Sequence, residues 1–258
     1  MILLKYLPCF FLISALCLVG CVSEAPEPGE ADTAGVVEPE ARWTPEISWD
    51  IQTTPGTYDM PESIVFLIVD GVRIPVGDGP GLQEMTDEQR ARFRVPAKAE
   101  WAAAGYFAGF GVNMIAEIKN DSILVSRTIW DEQADPALAW NYQLQAGVAL
   151  KDIQLFNEAD HSSQTSCFEG LNGTTTSEFR YQVEEGRVSA EHNRTIADHD
   201  MGYFTSAQSK GEGVLVGNAI YVSLVTQIEY DVQKAVEIWT LAPDGLMYDS
   251  FIYSPCAD

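Results

Sequence analysis

Positive charge is what this chain has least of. Its 258 residues carry 15 lysines and arginines against 38 aspartates and glutamates, a formal net charge of −23. That balance excludes nucleic-acid binding by phosphate neutralisation. It also excludes adhesion to an anionic membrane through surface charge. Histidine is nearly as scarce, with only His161, His192 and His199. The chain has no Gly-x-Ser-x-Gly, Ser-x-x-Lys, His-Glu-x-x-His or Cys-x-x-Cys. None of the common hydrolase, metalloprotease or redox patterns is therefore met, and no cofactor is expected. Disorder is excluded for the bulk of the chain, because 46% of residues are hydrophobic and 10% aromatic.

Long apolar runs are also lacking, with one exception at the start. Tyr6 to Val19 is apolar apart from Ser14, with Pro8 near its beginning and Lys5 as the only charge before it. A bilayer core needs about 20 such residues, so this run is too short to span one. It has the layout of a secretory leader, and Leu18-Val19-Gly20-Cys21 closes it. These four residues resemble the lipobox of bacterial lipoproteins: Leu, a small or β-branched residue, Gly or Ala, then Cys. The resemblance implies cleavage before Cys21 and attachment of palmitate-type acyl chains to its sulfur. Val22 follows, not Asp. In Gram-negative members of the class this implies an outer-membrane location, facing the periplasm or the cell surface. Residues 1–20 are thus read as signal peptide. The membrane is the first expected partner, reached through lipid.

Removing the leader takes one lysine and no acid, so the mature chain stands at −23 − 1 = −24. Residues 21–42 form an acidic linker, with Glu24, Glu27, Glu30, Asp32, Glu38 and Glu40 among Pro26, Pro28 and Pro39. Too little apolar surface is present there to fold. Such a tether spans roughly 25 Å as a coil and about 70 Å extended. Of the five cysteines, Cys9 and Cys17 leave with the leader and Cys21 carries lipid. Cys167 and Cys256 remain as an even pair in an exported chain, and a disulfide between them is expected.

Residues 43–258 read as one β-rich domain. Glu46–Gln52 alternates, and Ser63–Val69 is a continuous β-branched and aromatic run. Asp70-Gly71 supplies a two-residue hairpin turn into Val72–Val76. Gly77-Asp78-Gly79-Pro80-Gly81 reads as a loop. Thr86 to Gln89 is a capping box opening a helix that Pro96 interrupts, with Ala97–Ala104 as its second piece. From Tyr106 to Ile118 the period is two, and Lys119-Asn120-Asp121 turns the chain into Ser122–Trp130. Further strands are expected at 139–145, 148–156, 179–183, 187–195, 220–232, 235–241 and 246–253. The turns among them fall at Glu184-Glu185-Gly186 and Pro243-Asp244-Gly245. The fold class is therefore mainly β: an antiparallel barrel or a β-sandwich, with one helix segment near 86–104. A helix followed by about eight meandering strands resembles the calycin group, although Gly105-Tyr106-Phe107 stands where that group has Gly-x-Trp.

Function is less legible. Tyr106, Phe110 and Met114 share one face of a strand, and Tyr230 closes another apolar face. In a closed barrel these side chains would line an apolar pocket; in a filled one they are core. His192, His199 and Asp200 stand close in sequence, with Asp160 and His161 on a neighbouring loop. They are the candidates for a metal, but the spacing fits no common site, and solvated loop residues are the plainer account. A metal-dependent hydrolase is the remote alternative. The expected function is binding of a small apolar ligand or an envelope component, or service as a scaffold for another envelope protein.

Overall fold

The computed structural model describes residues 43–56, 61–95, 97, 99–107, 110–131, 143–158, 163–198, 203–228 and 231–257. The signal peptide, Cys21 and the linker lie outside these residues. The rest folds as three antiparallel meanders in sequence order.

The first is a three-stranded sheet of β1 (Ile47–Pro55), β2 (Pro61–Val69) and β3 (Val72–Pro80). Asp70 and Gly71 both take positive φ, +49° and +83°, as the type I′ turn requires. Asp70 also accepts a hydrogen bond from the Glu46 amide at 2.7 Å, which fixes the start of β1. β3 runs on through Gly77, Asp78 and Gly79, where a loop was expected. The glycines serve packing here. A Cβ on Gly77 would collide with the side chain of Met114 on the sheet stacked against it.

The second meander is a five-stranded sheet, followed by a helix. Its strands are β4 (Gln83–Glu84), β5 (Ala99–Phe107), β6 (Phe110–Lys119), β7 (Ser122–Asp131) and β8 (Gln143–Ala149). Helix α1 (Asp87–Arg92) has the full capping box: the Thr86 hydroxyl accepts from the Gln89 amide and the Gln89 side chain accepts from the Thr86 amide. Its own residues are not buried. Met85 and Phe93 at its two ends anchor it on Ala102, Ala104 and Ile115. The expected second helical piece is strand β5. Alanine favours helix by propensity, but Ala102, Ala103 and Ala104 are all buried, and pairing with β6 overrides it. The strand expected from Tyr106 to Ile118 is two strands, β5 and β6. The expected strand 148–156 is the end of β8 followed by helix α2 (Leu150–Glu158). Ile153 is buried and Leu155 exposed, the helical sorting that a period of two does not predict.

The third meander closes into an eight-stranded antiparallel barrel, so the mainly β, barrel reading holds. Its strands are β9 (Gln164–Asn172), β10 (Thr175–Glu184), β11 (Arg187–Asp198), β12 (Tyr203–Val216), β13 (Ala219–Ile228), β14 (Asp231–Ala242), β15 (Gly245–Tyr248) and β16 (Phe251–Pro255). The expected strand 220–232 ends at Ile228, and 246–253 is two strands joined at Asp249-Ser250, both at positive φ. β16 returns to β9 through two paired positions, Ser254 with Glu169 and Pro255 with Phe168. The Cys167–Cys256 disulfide lies beside this seam, where the Cys256 amide also donates to the Cys167 carbonyl at 3.1 Å. No helix among the described residues is long and apolar enough to cross a membrane.

Candidate functional site

β10 shows how the barrel interior is made. Phe179, Tyr181 and Val183 are buried, while Arg180, Gln182 and Glu184 between them are exposed. Inward residues of adjacent strands fall abreast, in the order Phe179, His192, Ser209 and Thr226. Ile220, Val222, Leu224, Trp239, Leu246 and Tyr253 fill the remaining interior. Gly211 and Gly213 on β12 let that strand lie close against β13; a Cβ on either would fall on a carbonyl of Ser223 or Tyr221.

One carboxylate sits inside this apolar shell. The Glu237 oxygens lie 2.9 and 3.1 Å from Nδ1 of the fully buried His192. Trp239 Nε1 donates to the same carboxylate at 2.8 Å, and the Tyr248 side chain bonds it as well. Burial, and then the nearby charge of Glu237, push the Tyr248 phenol well above its ordinary value. Phe179 stacks on the His192 ring with centroids 4.1 Å apart. A carboxylate only accepts, so three ring donors converge on it and none competes. Removing it strands those donors in a dry interior, and each costs about 1–3 kcal/mol. Glu237→Leu is expected to destabilise the domain by about 3 kcal/mol in a urea titration. Glu237→Gln, which keeps one acceptor oxygen, should cost about half of that. A Leu variant as stable as the parent would mean that the three donors are satisfied in another way.

Serine, histidine and an acid thus share the barrel interior, but they are not assembled for acyl transfer. The Ser209 hydroxyl pairs with Thr226 at 2.7 Å, and His192 Nε2 has no hydrogen-bond partner among the described residues. All are sealed from solvent. The nucleophile–base contact that catalysis needs is not made.

The outside of the barrel is of two kinds. Over β9–β12 it is charged, with Arg180 paired to Glu178 and Lys210 to Glu191. A shallow groove of about 600 Å³ runs there between Arg180, Glu191 and Lys210. A cation facing lipid at mid-bilayer costs about 2–4 kcal/mol, so this is not a lipid-facing band. Over β15 and β16 the surface is apolar. Met247 pairs with Ile252, and the Ser254–Glu169 register brings Ile252 abreast of Leu171 on β9. Ile252 is 58% exposed and Leu171 69%, with Met247 and Phe251 also in solvent. The segment from Ala235 to Asp258 contains Glu237, Asp244, Asp249 and Asp258 and no lysine or arginine.

The sequence-derived candidates fall in different places. Tyr106 and Phe110 lie on β5 and β6 of the five-stranded sheet, not on barrel strands. Met114 on β6 is fully buried. Tyr230, His161, His199 and Asp200 lie outside the described residues. His192, taken for a solvated loop residue, is in the barrel core. Its inward place follows from the alternation Val188, Ala190, His192, and Glu237 shares the alternation of Trp239, so both were findable. Among the described residues, the one group spaced to hold a metal is Cys167, Glu178 and Cys256. Its two sulfurs are bonded to each other and offer no thiolate. Compared with known proteins, the chain matches no family model, no curated sequence and no solved structure.

Proposed function

We propose that this chain is a lipid-anchored lipoprotein of the bacterial envelope whose β domain is a non-catalytic interaction module. The observation that carries this reading is the contrast between the two sides of the barrel wall at β15–β16. Trp239, Phe179, Leu246 and Tyr253 pack together in the interior, which favours a core over a ligand pocket on that side of the wall. The exterior presents Leu171, Met247 and Ile252 to solvent. Exposed apolar side chains gathered on one face mark contact surfaces. The occupant is a second envelope protein with apolar side chains fringed by lysine or arginine. Asp244 and Asp249, in the turns on either side of β15, have no lysine or arginine in their own segment, and complementary charge across a rim speeds encounter and fixes register. A second copy of this chain, near −24, would be repelled.

A photo-crosslinking residue placed at Ile252 tests this in the native host, with Ser189 on the charged face as control. The expected result is an adduct from position 252 alone, to a different chain with a basic surface, weakened by raised salt. Adducts to a second copy, or equal adducts from both positions, would sink the reading.

A further inference from the structure

We propose that the cleft enclosed by Ser63, Asp78, Arg127 and Lys234 binds a small monocarboxylate. This cavity, of about 260 Å³, lies where β2, β3, β7 and β14 meet, each strand contributing one of those four residues. It thus joins all three meanders.

One of its donors lacks an acceptor among the described residues. Arg127 reaches Asp78 through Nη1, at a long 3.4 Å, and its Nε is buried with no hydrogen-bond partner among the described residues. A buried unpaired donor is unfavourable, more so on a charged group. Lys234 places its ammonium on the Thr54 hydroxyl, with no carboxylate as its hydrogen-bond partner among the described residues. Of the described acids in the cleft, Asp78 accepts from the Val236 amide at 2.7 Å as well as from Arg127, and Glu62 accepts from the Lys234 amide at 3.2 Å. Both carboxylates cap the edge of β14 that β15 is too short to cover. A guanidinium with free N–H groups takes a carboxylate in bidentate fashion.

Charge selects a monoanion. Arg127 and Lys234 against Asp78 and Glu62 sum to zero when all are ionised, and to +1 when Asp78 holds a proton. A dianion would set its second charge against Glu62. A metal cation would meet two fixed positive charges. Among the described residues, the charged groups around Asp78 are Arg127 on β7, Glu62 on β2, and Lys234 and Glu237 on β14. Burial pushes the Asp78 carboxyl above its ordinary value, against the pull of Arg127 and the Val236 amide, and Glu237 adds to the push. The folded state therefore holds the Asp78 proton more tightly than the unfolded chain does. Lowering the pH toward that raised value moves the cleft from 0 to +1, so carboxylate binding tightens on acidification.

The test uses sodium acetate on the full-length protein, with sodium chloride and sodium phosphate at matched ionic strength, at pH 5.5 and pH 8. Acetate is expected to raise the unfolding midpoint by about 5–10 °C at a hundred times its Kd. The effect should be larger at pH 5.5, with chloride and phosphate giving less. One arginine Nε resonance should move in ¹⁵N spectra as acetate is added. Arg127→Met should abolish both responses, and Lys234→Gln, on a partly buried side chain, should weaken binding about tenfold. An acetate response equal to that of chloride, or unchanged in Lys234→Gln, would overturn the proposal. A phosphate response exceeding that of acetate would reassign the ligand class and overturn it as well.

Discussion

Cys21→Ala will move this protein from the membrane pellet to the supernatant when cells are broken and washed, and palmitate labelling of the chain will vanish. The expectation follows from the proposed anchor. Each buried methylene contributes about 0.8 kcal/mol, yet a single acyl chain holds a protein only marginally. Two or three chains on one residue make retention effectively permanent, so the loss on removing the sulfur should be nearly complete. Surface charge would not compensate. A basic surface attracts anionic lipid by about 1 kcal/mol per cation, whereas this chain is strongly acidic and is repelled. Only Arg42 among residues 21–42 is positive. A wild-type protein that stays unlabelled, or that washes off as readily as the variant, would refute the anchor. The Ile252 crosslinking result would then have to be read on a secreted protein.

What the chain discloses about its own fold depends on the range over which each signal acts. Local signals were readable. Asp70-Gly71, Asn120-Asp121 and Glu185-Gly186 turn where their positive-φ residues demand. The Thr86–Gln89 box caps a helix because its two hydrogen bonds close within four residues. Signals set by distant packing were misread. Ala99–Ala104 is a strand because β6 pairs with it and the layers on both sides bury it, and propensity points the other way. Gly77-Asp78-Gly79-Pro80 looks like a turn when only its neighbours are considered. It is a strand because β2 pairs with it, and Gly77 is glycine because Met114, 37 positions away, fills the space of a side chain. Asp249-Ser250 carries no glycine, so a tight turn there passed for continuous strand. The His192–Glu237 pair spans 45 positions and two non-adjacent strands, and no spacing rule connects them. Alternation places each residue inside; only closure of the barrel brings them together.

Cys167→Ser with Cys256→Ser will lower the unfolding midpoint by more than any point substitution discussed above. The bridge closes a separation of 89 residues. On the chain-entropy account a loop of that length contributes about 4–5 kcal/mol by restricting the unfolded chain. For a domain of this size about 2–4 °C is lost per kcal/mol, so the drop should be roughly 10–15 °C. The position of the bridge adds a second argument. The barrel is closed by only two paired positions between β16 and β9, while the other strand pairs of the barrel are longer. The seam is thus where the fewest backbone hydrogen bonds resist opening, and the disulfide stands one residue from it. Without the bridge, β15–β16 should open before the rest of the barrel, exposing Tyr253 and Leu246 from the core. Hydrogen exchange gives the discriminating readout: in the double serine variant the amides of 251–256 should lose protection first, while those of β10 and β11 keep theirs. Uniform loss across all eight strands would mean that the bridge acts through the unfolded chain alone. A midpoint unchanged from the parent would mean that the seam holds without it. If the proposed docking face is right, a partner bound over Ile252 and Leu171 clasps both sides of this seam, and its binding should restore much of the protection that the variant has lost.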